Sequence, residues 1–325
     1  MPKSTLRADL IKYAKDCPNG NFRADADAIN TARQVEYQFA ELYDIQYPDL
    51  DMANGTIVPI NSSIPAGFKT FTYNIYGGTG VAAAINTYAA NSIPRASYQA
   101  KPTTGSIVDL THSYAVNVSD LETAAVTGIP LETGLGDACK RGHMQLRDSL
   151  GWYGSAPDGI VGLLTHPNIT QLNSGFTWST ATFDQIAADF GTLINTPSNI
   201  TNNVERVDTV VLPHAVWNNL SERPQNSANS ANFTILSWLQ NNYKNVQFLN
   251  STALTAANHA GTDFAGKNVC VAFNRSKRKV SLIVSQDFTL YPPQWSGFES
   301  LVVNKSRCGG VMTAYPLSIV VMRGM

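Results

Sequence analysis

Charge is scarce in this 325-residue chain: Asp, Glu, Lys and Arg make up 14% of it, against about 25% in ordinary soluble proteins. A folded protein with so little charge is expected to hide much of its surface against other chains. The 23 basic and 24 acidic residues leave a net charge of −1, which argues against a dedicated nucleic-acid binder, since such proteins carry a basic face. Cysteine is also sparse. Cys17, Cys139, Cys270 and Cys308 stand apart, with no C-x-x-C pair and no histidine spacing of a zinc site, so they are expected to be reduced and structural. No apolar run approaches the roughly 20 residues of a membrane span, and MPKSTLRADLIKYAKD lacks the uninterrupted apolar core of a signal peptide. The expectation is a cytosolic chain with no membrane partner.

Catalytic patterns are missing too. Of the five histidines, His112, His143, His166, His214 and His259, none sits in an H-E-x-x-H motif, and no serine stands in a G-x-S-x-G elbow. Carboxylates are few and unpaired, which leaves glycosidase and two-metal schemes without residues. Gly78-Thr79-Gly80-Val81-Ala82-Ala83 imitates a dinucleotide fingerprint. That motif needs a helix directly after it and an acidic residue about 20 positions on, where this chain has Tyr98-Gln99-Ala100-Lys101. A nucleotide-binding enzyme is therefore the least favoured reading. No catalytic residue, metal or cofactor is expected.

What is present suffices for sizeable cores, since 43% of the residues are hydrophobic. Residues 131–150, LETGLGDACKRGHMQLRDSL, carry apolar or small residues at Leu131, Leu135, Ala138, Cys139, Gly142, Leu146 and Leu150, the stripe of an amphipathic helix packed along one side. Pro130 suits the first turn. Gly134, Gly136 and Gly142 each cost about 1 kcal/mol relative to alanine, so something must pack closely against this helix.

Ahead of it, residues 1–68 offer two helical patterns, at 6–14 and 24–43, and then a stretch punctuated by Pro48, Pro59, Pro65 and Gly67. Residues 69–76 and 107–118 alternate like half-buried strands. Between them lies a segment rich in Gly, Ala, Ser and Tyr, and from Met52 to Val108 there is no Asp or Glu at all, while Lys69, Arg95 and Lys101 are present. An isolated hairpin of that length is marginal in water, so it should lie on another molecule. Downstream, helices are expected at 183–194, capped by Thr182, and at 215–220 and 233–239, with strands at 207–212 and 246–249. This alternation marks an α/β-like unit over about 170–275. Strands follow at 269–273, 280–284, 301–303, 311–314 and 319–322.

In their order, the acid-free hairpin before the long helix, GIVGLLTHPNI at 159–169, TVVLP at 209–213 leading into a helix with Trp217 and Leu220, and RCGGV at 307–311 with YPLSI at 315–319 resemble the major capsid proteins of tailed bacteriophages, the Hong Kong 97-like fold shared with encapsulins. The resemblance covers about 36–325. It implies an α+β chain with an N-terminal arm at 1–68 and an extended hairpin loop at 69–118. A peripheral domain at 119–165 and 277–315 would be built on a long spine helix, with an axial α/β domain at 166–276 and 316–325. The function implied is a structural subunit of hexamers and pentamers that close an icosahedral phage head around double-stranded DNA. An encapsulin-like compartment shell is the alternative.

On that reading Gly77, Gly80, Tyr88, Arg95, Tyr98 and Lys101 contact a neighbouring subunit, and Leu131, Leu135, Ala138, Gly142, Leu146 and Leu150 form the spine. The implied partners are further copies of the chain, a portal, a separate scaffolding protein, decoration proteins and packaged DNA lying nearby without specific contact. The virion is the implied location, after assembly in host cytoplasm. Two departures stand out. There is no long charged coiled coil at the N-terminus, and Glu299 and Ser306 occupy the positions where Asn and Glu would be needed to weld Lys101 covalently. Subunits should therefore be joined without covalent bonds.

Overall fold

In the segment TFTYNIYGGT, Phe71, Tyr73 and Ile75 alternate with exposed neighbours and build a strand, as the two-residue period requires. The computed structural model describes residues 47–80, 82, 95–127, 131–225, 233–258, 264 and 266–325. The expected N-terminal helices, Cys17, Tyr88, His259 and the break near 128–130 lie outside the described residues. Residues from Leu50 onward form one compact unit. In chain order it opens with β1 (Ile60–Asn61), β2 (Thr70–Thr79), β3 (Ser97–Ser106) and β4 (Val108–Asn117), then the helices α1 (Val118–Thr127) and α2 (Leu131–Tyr153). A small ribbon of β5 (Gly154–Ser155) and β6 (Ile160–Val161) and the strand β7 (Thr170–Asn173) lead to α3 (Phe183–Ile200). There follow β8 (Thr209–Pro213), α4 (His214–Glu222), α5 (Ile235–Asn242), β9 (Gln247–Ser251) and β10 (Val269–Phe273). The last strands are β11 (Val280–Leu290), β12 (Gln294–Ser296), β13 (Glu299–Thr313) and β14 (Val320–Arg323).

Two five-stranded sheets carry the fold. The second, in the order β7-β14-β10-β8-β9, is buried on both faces. Val210, Leu212, Cys270, Ala272, Val320 and Met322 point one way, into a core shared with α3, α4 and α5. Val211, Val269, Val271, Phe273 and Val321 point the other way, into a core with Trp152, Leu163, Leu164 and Leu282. A strand buried on both faces reads as a continuous apolar run, and VCVAF and TVVLP do. Helix α3 starts where the hydroxyl of Thr182 accepts from the Gln185 N–H while the Gln185 side chain accepts from the Thr182 N–H, a capping box worth about 1 kcal/mol. It runs to Ile200, past the predicted end, because Pro197 falls in the last turn and Thr201 closes it by donating to the Pro197 carbonyl.

The first sheet is built on β13, which pairs with β11 on one side and β4 on the other. The two short strands expected at 301–303 and 311–314 are a single 15-residue strand. Its polar centre is held in the sheet by side-chain partners: Asn304 Oδ1 and the Ser306 hydroxyl meet His143, and Lys305 and Arg307 meet Asp109. Gly310, at φ +69, takes the irregular step where its backbone passes Val161, a position where a Cβ would lie 2.3 Å from Ile160. Helix α2 covers only one face of this sheet.

Candidate functional site

The hairpin β2–β3 pairs in unbroken register from Thr70 opposite Ser106 to Thr79 opposite Ser97. It is held to the body only at its base. The Phe71 ring fills the space a Cβ would need at Gly105 and also packs on Gly309, while the Tyr73 hydroxyl donates to the Thr313 carbonyl at 3.0 Å. Burial there raises the pKa of Tyr73, so it stays a neutral donor. Beyond Ile75 every described residue of both strands is exposed until the chain returns to Thr103. Tyr76 and Tyr98 stack in parallel at 5.6 Å on one face of the blade, with Tyr98 lying against Gly78. A two-stranded ribbon with no third layer has no core of its own.

Beneath the hairpin, α2 lies on the first sheet through a polar seam. His143 is buried; its Nε2–H donates to Asn304 Oδ1 at 2.6 Å, and its Nδ1 accepts from the Ser306 hydroxyl at 2.8 Å. One helical turn earlier Cys139 meets His112 Nδ1 at 3.3 Å, and one turn later Arg147 pairs with Asp287 at 3.0 Å. At the far end of the helix, Asp148 accepts the backbone N–H groups of Met52 and Ala53, and Gly151 lets Met52 come closer than any Cβ would permit. Arg275 holds the same segment from the second sheet by donating to the carbonyls of Gly55 and Ile57. Burial raises the Asp148 pKa against the pull of those two N–H groups, and burial together with Asp148 pushes the Tyr153 phenol up to about 12.

None of these groups is arranged for catalysis. His143, His112 and His214 are each tied into hydrogen bonds with neighbouring side chains, and His166 accepts the Asn168 N–H. Cys270 and Cys308 are buried, which raises their thiol pKa values and keeps them inert. Gly78, which would be the first glycine of a dinucleotide loop, sits inside a paired strand opposite Tyr98. Among the described residues no cluster of three metal-binding side chains exists.

The predicted hairpin residues Gly77, Gly80, Arg95, Tyr98 and Lys101 all lie on the exposed part of the blade, Tyr98 at 74%. The predicted spine stripe needs correction. Leu150 is buried, but Ala138 is exposed, Leu146 is 47% exposed, and Leu131, Leu135 and Gly142 are only half-buried. The face turned to the sheet is Cys139, His143, Arg147 and Leu150, because the sheet offers Asn304, Ser306 and Asp287 as partners for polar side chains. Nor does any described residue pack closely on Gly134, Gly136 or Gly142, where a Cβ would meet nothing within 4 Å. Sequence reasoning also passed over the exposed apolar tip of the first sheet: Leu290, Tyr291, Trp295, Phe298 and Leu301. The string YPPQWSGF, aromatic residues around a Pro-Pro turn, was its signal.

Comparison with known proteins places this architecture. The family model described as "Major capsid protein" matches residues 80–325. No curated protein matches the chain. Among solved structures, the capsid of Myoviridae phage XM1 superposes with a TM-score of 0.78 at 19% identity, covering 90% of this chain and 98% of that one. The capsid of a native GTA particle gives 0.67 at 11% identity over 91% and 97%. A virus-like particle from Pyrococcus furiosus gives 0.52 at 13% identity over 84% and 95%.

Proposed function

The chain belongs to the major capsid protein family, and from that premise we propose that it closes an icosahedral phage head from hexamers and pentamers, with the β2–β3 hairpin reaching onto a neighbouring subunit. The role is structural, not catalytic, and its place is the virion shell. The observation that carries the finer reading is a hairpin of two ten-residue strands, anchored at its base by Phe71 and Tyr73 and exposed on both faces from Tyr76 to Pro102 wherever it is described. Gly77, Gly80, Tyr88, Arg95, Tyr98 and Lys101 are its contact residues on this reading. On this reading a peripheral part, 119–165 with 277–315, surrounds the spine helix, and an axial part comprises 166–276 with 316–325; β4, which the expected loop at 69–118 included, pairs with β13 in the first sheet. Portal, scaffolding and decoration proteins are separate partners, packaged double-stranded DNA lies against the shell without specific contacts, and assembly takes place in host cytoplasm.

Electron microscopy of the expressed protein tests this: shells, tubes or sheets are expected, and a stable monomer at high concentration would sink the proposal. Replacing 80–102 by a short Gly-Ser turn should leave a soluble, cooperatively melting subunit that closes no shells. Boiling in denaturant should release single chains near 35.2 kDa, because Glu299 and Ser306 supply neither the Asn nor the Glu of a covalent weld. DNA inside purified particles supports the phage head over a cargo compartment, and an enclosed protein cargo would reverse that choice.

A further inference from the structure

The first sheet ends in a strand, β4, whose outer edge no other described segment pairs with. Val118 N–H donates to Phe298 O at 3.0 Å, on the β13 side, so the even-numbered residues of β4 direct their backbone groups to β13. The odd-numbered residues, Asp109, Thr111, Ser113, Ala115 and Asn117, direct theirs away from it. All five are exposed, and among the described residues no backbone hydrogen bond from another segment reaches them.

Natural proteins blunt such edges with Lys, Pro, bulges or brevity. β4 has none of these: it is ten residues long, holds unbroken register with β13 from Asn117 opposite Glu299 to Val108 opposite Cys308, and its one carboxylate, Asp109, is neutralised by Lys305 and Arg307. By contrast the edges of the second sheet, β7 and β9, are four and five residues long.

The hairpin repeats the pattern. Ile107 N–H donates to Lys69 O at 2.7 Å, so 69, 71, 73, 75 and 77 face β3 while Thr70, Thr72, Asn74, Tyr76 and Gly78 face outward. Those five are exposed, and β2 contains neither charge nor proline. The same alternation turns the proline nitrogen of Pro102 to the outer edge of β3, which removes a donor there and guards that edge.

The described residues thus present two long unguarded edges, one on β2 and one on β4. They cannot satisfy each other within one subunit. The ladder of β2 closes at Lys69, where the open edge of β4 starts, and the chain before it turns away to β11, where the Ser285 hydroxyl donates to the Pro65 carbonyl at 3.0 Å.

We propose that the outer edge of β4 is a strand-addition site for the outer edge of β2 from a second copy of the chain, so that neighbouring subunits share one continuous sheet. The occupant follows from the match: both edges are ten residues long, both present five exposed residues, and β2 brings no charge to be desolvated. Main-chain hydrogen bonds would supply the affinity, as in other strand additions. This inference rests on the shell reading above, and it names where the hairpin lands.

Hydrogen exchange resolved by residue, on unassembled subunits and on assembled particles of the full chain, tests it. The amides of 111, 113 and 115 and those of 70, 72, 74 and 76 should slow by about tenfold or more on assembly. The amides of 110, 112, 114 and 116, already bonded to β13, serve as the internal control and should change little. Particles in which the odd β4 amides still exchange freely would overturn the inference while leaving the shell reading intact. Slowing on β4 without slowing on β2 would overturn the occupant. If no particles form, the shell reading fails and this inference falls with it. As a second test, Ser113→Pro and Asn74→Pro each delete an outward donor without deleting a ladder bond. Each should give a folded subunit that assembles at least tenfold less, and wild-type assembly by Ser113→Pro would count against the site.

Discussion

The two sheets of this protein are finished to different degrees. The second is closed within the subunit: every residue of β8 and β10 is buried, three helices cover one face, and the core around Trp152 covers the other. The first has α2 on one face only, and its other face carries the exposed side chains of Asp109, Thr111, Ser113, Ala115 and Asn117. It also bears a hairpin without a core and an apolar tip, where Phe298 is 80% exposed. One chain therefore keeps its folding and its assembly in different places. The region that folds the subunit has spent its apolar surface internally; the region proposed to build the shell leaves edges, a sheet face and aromatic rings exposed among the described residues.

The sharpest test of this division is a truncation in the core of the second sheet. Phe190 is fully buried between Trp178, at 4.7 Å between rings, and Phe248. Phe190→Ala should cost about 3–5 kcal/mol, read as a lower midpoint of urea unfolding, because it removes the ring and leaves a cavity. A loss below about 1 kcal/mol would mean that the second sheet is not the stable core described.

The base of the hairpin lies on the border between the two regions. At Gly105 a Cβ would sit 2.4 Å from the Phe71 ring, which also lies 3.2 Å from where a Cβ would stand on Gly309. Gly105→Ala must push that ring out, at about 1–3 kcal/mol by the usual scale of overpacking. The expected readout is a modest fall in subunit stability with increased protease cleavage of the hairpin. Unchanged cleavage would show that Phe71 is not the anchor.

How far these regions were legible in the sequence follows from the same division. Strands such as VCVAF and helices such as 183–200 declare themselves because burial within the chain imposes a single period on their residues. The seam under α2 did not. Leu135, Ala138 and Leu146 look like a core stripe, yet the inward positions are Cys139, His143 and Arg147, and their polar partners Asn304, Ser306 and Asp287 come from more than 130 residues away. Periodicity reports hydrophobicity, and here the buried face is polar. The hairpin could be placed by its lack of acid and its want of a core, whereas its open edge depends on which backbone groups face outward, and that requires the register.

Asp148 offers a gentler probe, by pH. Burial raises its folded pKa above the ordinary 3.8. The stability contributed by the protonated group is therefore fully present below about pH 3.8 and is lost as pH rises through the folded value. At pH 7 the carboxylate is a buried charge offset by the Met52 and Ala53 N–H groups. Asp148→Asn keeps an oxygen for both donors without the charge and should be neutral or slightly stabilising at pH 7. Asp148→Ala, which strands both donors, should cost about 1–3 kcal/mol. Equal losses in the two variants would show that charge, not hydrogen bonding, holds residues 52–53 to α2.

The smallest effect on the subunit is expected where the effect on assembly is largest. Tyr98 stacks on Tyr76 at 5.6 Å with an interplanar angle of 8°, but both rings are exposed, and Tyr98 lies against Gly78, which has no side chain to pack on it. The stack replaces water contact on one face of each ring and leaves the other face wet, so little apolar area is removed from water. Tyr98→Ala should therefore shift the stability of the isolated subunit by no more than about 0.5 kcal/mol, the usual range for a surface substitution. In a shell the same ring pair would be pressed against a neighbour and repeated at every contact, where an aromatic anchor is worth about 1–2 kcal/mol or more per site. The threshold concentration for particle formation, read by light scattering, should rise about tenfold for a loss of roughly 1.4 kcal/mol per contact. An unchanged threshold would place the working contacts elsewhere on the blade, and a large fall in subunit stability would show that the hairpin belongs to the folded core after all.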